Sequence, residues 1–279
     1  MTTDTTPAAL QTQVAGSSFY AGMRVLPKAE RAAMYAIYAF CRVVDDIADD
    51  MVGDRAHRAA ELDGWRADLD ALYAGLPPGR AGLVADAVGR FGLDRADFHA
   101  VIDGMAMDVD RDLCWPRAEE LDLYCDRVAS AVGRLSVRVF GMERAPGEAL
   151  AHHLGRALQL TNILRDIDED AMINRVYLPY EALVQAGIPL TTPGEVVADP
   201  RIDGVARRLA QQAHSHYQAA EKVLKQRPRG HLLAPRLMAA VYAKVLARME
   251  VIGWRAPRQR VRVSKPALLW TVLRLSLTR

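Results

Sequence analysis

The chain has 279 residues, with 36 Lys and Arg against 34 Asp and Glu, a formal net charge of +2, and 51% hydrophobic residues. That balance excludes intrinsic disorder, and no apolar run reaches the ~18 residues of a membrane-spanning helix. Three scattered cysteines, Cys41, Cys114 and Cys125, form no CxxC pair, which argues against a disulfide framework or a zinc site and fits a reducing, cytoplasmic compartment.

Residues 1–15 read as a flexible lead that lacks the basic start and apolar core of a signal peptide. Over 16–279 the 3.6-residue period dominates and strand alternation is absent, so a single all-α domain is expected. Pro27 suits the first turn of a helix running to about Asp50, with Gly53 beyond its end. Helices follow over about 54–74 and 80–91, and a further one starts at Asp94, with Asp97 three residues on, and carries FHAVIDGMAMDVD. Pro116 opens a long helix through LDLYCDRVASAVGRLSVRVF, and Pro146 opens another through LGRALQLTNILRDIDED. The stretch GIPLTTPGEVVADPR reads as the longest turn-rich loop, ahead of helices at about 203–226, 232–252 and 266–277. No Asp or Glu follows Glu250, whereas Arg255, Arg258, Arg260, Arg262, Lys265, Arg274 and Arg279 do. A basic end set against an Asp-rich early half implies an anionic partner, a phosphorylated ligand or an acidic membrane surface.

The stretch CRVVDDIADD crowds four aspartates into six residues of a predicted helix. Asp is a weak helix former, and like charges at helical spacing repel. Tyr38, Arg42, Asp45 and Asp49 step by four, three and four, so they form one polar stripe on a helix whose Ala36, Ile37, Phe40 and Val44 are apolar. The acids also stand near the helix C-terminus, where the macrodipole disfavours anions by ~0.3–1 kcal/mol each. A second stripe, Gln159, Asn162, Asp166 and Asp170, steps by three, four and four near the end of another long helix. If the two stripes face each other, they enclose a pocket of oxygen ligands, which selects hard cations such as Mg2+, with Mn2+ as a substitute. A calcium loop at DIDED fails because the sixth position is Ala171 and the twelfth is Tyr177, where Gly and Glu are required. His152 with His153 and His214 with His216 share no helix face within either pair, so these read as solvated or core histidines.

Two metal-bearing carboxylate stripes suit a diphosphate. At ~4 Å and an effective dielectric near 20, each like-charge pair costs on the order of 4 kcal/mol. Divalent ions must therefore bridge acid to phosphate, and Arg42, Arg165 and Arg175 stand beside the stripes to complete the neutralisation. A diphosphate clamped in this way becomes a leaving group for an allylic carbon, whose cation survives only between dry apolar or aromatic walls.

AIYAFCRVVDDIADD, YCDRVASAVG and LQLTNILRDIDEDAMINRVYLP together resemble the squalene/phytoene synthase family, over nearly the whole chain from about Ser17. The resemblance implies one all-α prenyl transferase fold with a central cavity and Mg2+ bound through paired aspartate motifs. By it, the first motif falls on Asp45 and Asp49, and the second on Asn162, Asp166 and Asp170, preceded by Gln159. Contacts to diphosphate or cation fall on Phe19, Tyr38, Arg42, Tyr124, Arg165, Arg175, Tyr177 and Tyr242. SSFYAGMRVLP and RALQLTNILRDIDEDA look most like the bacterial hopanoid-pathway branch. That branch implies head-to-head condensation of two farnesyl diphosphates: the donor ionises, the acceptor's double bond attacks its C1, and proton loss closes a cyclopropane. Tyr124 or Tyr38, or the released diphosphate, would receive the proton. The product keeps its second diphosphate and passes to a downstream squalene-forming enzyme. No NADPH is expected, and no Gly-rich dinucleotide motif is visible.

Phytoene and squalene or dehydrosqualene synthases are the alternatives within the family, and a non-catalytic helical scaffold is the alternative outside it. No nucleic-acid module accompanies the basic tail. Ala129 and Gly133, four apart, either let helices approach or leave room for a prenyl tail. SKPALLWTVLRLSLTR reads as a packed terminal helix that also suits peripheral docking on the anionic inner face of the cytoplasmic membrane.

Overall fold

A computed structural model describes residues 20–49 and 53–262, which puts Phe19, the 266–277 helix and the last three basic residues of the tail outside the described residues. A short α1 (Tyr20–Arg24) leads to α2 (Lys28–Asp49), whose Ile37, Phe40 and Val44 are fully buried, with Phe40 opposite the acidic stripe. Phe40 meets Trp65 of α3 (Arg55–Tyr73) and Phe98 edge-on, with ring centroids 5.5 and 5.2 Å apart. Edge-to-face contact suits the ring quadrupoles and locks three helices to one point. Asp54 caps α3 by accepting from the His57 N–H.

The 80–91 segment is a 3-10 turn (Gly79–Val84) running into α4 (Ala85–Phe91), and Gly92 ends it with φ +58°. Asp94 caps α5 (Arg95–Asp110) through the Ala96 N–H. Asp97 turns instead to Arg134 Nε, 2.5 Å away.

The Pro116 helix starts at Ala118 and is interrupted. Its first part, α6 (Ala118–Cys125), passes through a π turn (Asp126–Ser130) into α7 (Ala131–Val139). A π turn widens the backbone locally, and such turns cluster at functional sites. This one lies against α8 (Arg144–Arg165), which has Pro146 in its first turn and runs through the middle of the molecule, buried on most of its faces. A Cβ on Gly155 would stand 2.7 Å from Ser130 Cα, and one on Gly133 would stand 3.0 Å from Ala151 Cα. Helix α8 therefore rests on the α6–α7 rod at backbone contact distance. Arg156 bridges the same seam, buried, with bonds to Asp122, Asp126 and Ser130.

After α8 the chain bends at Asp166 and resumes as α9 (Ile167–Met172), then reaches α10 (Tyr180–Gln185). The stretch read as the longest loop contains a helix, α11 (Pro193–Ala198), because Thr192 and Glu195 form a reciprocal capping box that the abundance of turn residues masks. The closing pair is α12 (Ile202–Lys225), packed along α8, and α13 (Leu233–Ile252). Among the described residues there is no strand, only a single parallel bridge between Cys114 and Val176, and no helix is long and apolar enough to cross a membrane.

The basic segment after α13 folds back. The Trp254 indole N–H donates to the Leu164 carbonyl at 2.9 Å, and Arg258 clasps both oxygens of Asp168 through Nε and Nη2. Arg260 reaches Asp166 at 2.8 Å. For these two arginines the anionic partner is the chain's own second acidic stretch.

Gly155→Ala should lower stability by about 1–3 kcal/mol, as overpacking of a close seam does. Gly194→Ala, with nothing within 4 Å of the added carbon, should change it little. Urea denaturation of both variants measures the difference.

Candidate active site

Tyr38, Arg42 and Asp45 of α2 and Gln159 and Asn162 of α8 line one cavity of about 280 Å³. Helical steps of three and four place each set on one side of its helix, and the aromatic lock at Phe40 turns the α2 stripe inward. Away from these polar groups the wall is apolar, formed by Ile37, Val101, Met105, Val132, Leu154 and Met238 among others. Ala129 and Gly133 lie on this wall as well. Gly133 also contacts Ala151 closely, so one small residue both admits a neighbouring helix and widens the cavity.

The two acidic stripes converge through Arg175. This buried guanidinium binds Asp49 of α2 and the Ala48 carbonyl, lies 3.7 Å from Asp108, and its charge reaches Asp45 and Asp170. Burial pushes the Asp45 carboxyl up to about 7, with the charge of Asp49 adding and that of Arg42 opposing. Asp170 rises to about 8, again chiefly through burial, and next through the charge of Asp166. Arg42 holds Asp45 at 2.8 Å and also Asp46, and Arg165 grips Asp166 bidentately at 2.8 and 2.6 Å. Against the cost of its burial, Asp166 and Tyr242 raise the pKa of Arg165 further, so it remains a fixed charge, and Tyr242 is itself buried. Asp168, the alternate member of DIDED, is held by Arg258 instead.

The donor set fits a hard divalent cation. Asp45 and Asp170 are partly buried, crowded and pushed toward protonation, a state that added positive charge reverses. Asn162 supplies a further sign: its Oδ1 is buried without a hydrogen-bond partner, while its Nδ2 reaches Gln159 Oε1 at 3.4 Å. A buried carbonyl oxygen left unpaired costs about 1–3 kcal/mol, and a metal ligand role would relieve that cost.

A proton chain stands beside the acids. The Cys114–Val176 bridge brings Tyr177 against Tyr124 of α6, with the rings stacked at 4.8 Å. The Tyr124 hydroxyl donates to the Tyr177 oxygen at 3.2 Å, and the Tyr177 hydroxyl donates to Asp108 Oδ1 at 3.0 Å. Burial, with the nearby Asp108 charge, holds both tyrosines well above the ordinary phenol pKa, so both keep their protons. Asp108, 2% exposed, rises to about 6 because of burial, with Arg175 and Tyr177 opposing the rise. Asp108 lies outside both acidic stripes of the sequence. Its signal was present: Val101, Met105 and Asp108 step by four and three, so they share a face, and two of the three line the cavity.

Asp108→Ala should destabilise the protein by about 1–3 kcal/mol, since it leaves the buried Tyr177 hydroxyl without its acceptor. Thermal and urea unfolding check this directly.

The sequence model described as squalene/phytoene synthase matches residues 12–267. A presqualene diphosphate synthase of Zymomonas mobilis is 61% identical over 262 residues, which cover 94% of this chain and 90% of that one. Another, from Rhodopseudomonas palustris, is 51% identical over 97% of both chains. A crystal structure of a dehydrosqualene synthase in complex with ligand superposes with a TM-score of 0.83 at 26% identity, covering 98% of this chain and 95% of the other. In sequence along nearly its whole length, and in its all-α isoprenoid synthase fold, the chain belongs to the squalene/phytoene synthase family.

Proposed function

We propose that the chain joins two farnesyl diphosphates head to head, forming presqualene diphosphate and releasing one diphosphate and one proton. One observation carries the reading: the acidic stripes of α2 and α8–α9 converge beside an apolar cavity, with Asp45, Gln159 and Asn162 on its wall. The names and identities of the relatives support the choice of reaction within the family.

Asp45, Asp49, Asn162, Asp166 and Asp170 would hold divalent cations, Mg2+ with Mn2+ as a substitute. When bound, these ions draw electrons from the diphosphate and make it a better leaving group. The chain's own cations do the rest. Arg42, Arg165 and Arg175 now spend their hydrogen bonds on the acids, and each can turn part of its guanidinium to phosphate oxygens once the acids have another partner. The donor's C1–O bond then breaks with its electron pair leaving on the diphosphate. The acceptor's double bond attacks C1, and proton loss closes the cyclopropane. Apolar walls exclude water that would quench the cation. Tyr38 and Tyr124 line the same space. Because Tyr124 spends its own proton on Tyr177, its oxygen lone pairs are free to stabilise the cation and guide the departing proton toward the diphosphate. The product retains a diphosphate, so a second enzyme must consume it. Two prenyl tails also favour work at the inner face of the cytoplasmic membrane.

Asp45→Asn and Asp166→Asn should each reduce turnover by about 100-fold or more, the scale for removing one preorganised electrostatic element, with melting temperatures close to the parent's. Incubation with farnesyl diphosphate and Mg2+, followed by mass analysis, should yield a thirty-carbon diphosphate. Free squalene, dehydrosqualene or unchanged substrate would refute the assignment. Chelation should abolish turnover, and Mg2+ should restore it.

A further inference from the structure

On the far side of α8 from the cavity, three imidazoles come together. His152 and His153 extend from α8 and His216 from α12, and one ring nitrogen of each lies within 4.8 Å of the others. The rings form a tight triangle, with centroids 4.7, 5.3 and 5.9 Å apart. Local spacing gives no hint of this, because the third ring arrives from a helix some sixty residues later.

We propose that His152, His153 and His216 form a binding site for a transition-metal ion of the zinc class, separate from the carboxylate site and tying α8 to α12. Four observations carry it. First, His153 Nδ1 and His216 Nδ1 are 3.1 Å apart. Tetrahedral zinc with bonds of about 2.0–2.1 Å places two ligand nitrogens about 3.3 Å apart, so the pair needs little movement to chelate. In the metal-free protein one of these nitrogens donates to the other, and on metal binding that imidazole moves its proton to Nε2. Second, Arg156 Nη1 donates to His152 Nδ1 at 2.9 Å, which fixes the His152 proton on Nε2, and a cation takes the Nδ1 lone pair as that hydrogen bond opens. Arg156 keeps Asp122 and Asp126 as partners when a cation takes that lone pair, and the two carboxylates offset its charge. Third, burial, with the Arg156 charge adding, lowers the pKa of all three histidines, His216 to about 4 with the neighbouring rings contributing, so they are neutral ligands at neutral pH. Fourth, a groove of about 550 Å³ lined by Asp122, Arg156 and His216 gives an ion an entry path and water for its remaining position. Three imidazoles select Zn2+, Ni2+ or Cu2+ over Mg2+, so the two sites take different ions.

The test is titration of the full chain with Zn2+ against a chromophoric chelator, in excess Mg2+. One Zn2+ per chain is expected, not displaced by Mg2+, along with a Zn2+-dependent rise in melting temperature. His153→Gln and His216→Gln should each weaken binding by more than about 100-fold, beyond the loss that an outer-shell change gives, and remove the melting shift. His152→Ala, at the most exposed of the three positions, should also weaken binding and serves if the others fail to fold. Absence of stoichiometric Zn2+ overturns the proposal. So does affinity unchanged in the histidine variants, or affinity lost only in Asp45→Asn, which would place the ion among the carboxylates.

Discussion

Repulsion among carboxylates gathered at one end of an apolar cavity is the constraint around which the rest of this molecule is arranged. Asp45 and Asp49 occupy the last turns of α2, on the wrong side of its dipole. Asp166 and Asp170 sit where α8 breaks into α9. Each like-charge pair costs on the order of 4 kcal/mol at close range in a medium of intermediate dielectric. The fold answers with fixed arginines: Arg42 on Asp45, Arg175 on Asp49, and Arg165 with Arg260 on Asp166. For Asp170 the charge that opposes the rise is that of Arg175, and of the acids that burial raises it goes highest. The arginines stand where positive charge is required and fix the acids in place.

Such an arrangement requires a rigid frame, and helix packing supplies it. Helix α8 approaches the α6–α7 rod at backbone distance because Gly155 and Gly133 remove the side chains that would hold it off. The π turn at Asp126–Ser130 meets Gly155 at that seam. Around the turn, Arg156 and Arg134 both bind Asp126, and Arg134 also binds Asp97 of α5. The seam on one side of the turn is thus polar and cross-linked, while the cavity side presents Val128, Ala129 and Val132. That division keeps this part of the cavity wall apolar while Arg156, Arg134 and Asp126 of the seam stay paired.

The segment after α13 ties the acidic end of the cavity to the rest. Trp254 anchors it on the last turn of α8, and Arg258 and Arg260 divide DIDED between them. Asp168 is thereby held by Arg258, whereas Asp170 lies within reach of the charges of Asp49 and Asp108. Alternation along five residues looks like a loop of equivalent ligands, but the bend at Asp166 and the arginine clasp separate the set by role.

Local periodicity alone carried the helical class, the two acidic stripes and their matching spacing, because side chains three and four apart share a helix face whatever surrounds the helix. Quoted motifs likewise carried the family resemblance. Periodicity also held the signal of Asp108, in step with Val101 and Met105, though a lone acid in an apolar run does not declare its partner. Folding decided everything that depends on chain-distant neighbours. It turned the two stripes toward a common space, placed Tyr177 on Tyr124 through the Cys114–Val176 bridge, and directed part of the basic tail onto the chain's own aspartates. It also gathered His216 to His152 and His153. A helix face specifies direction about one axis only, whereas which faces meet is set by the packing of gaps and knobs across elements, and that information is spread over residues tens of positions apart.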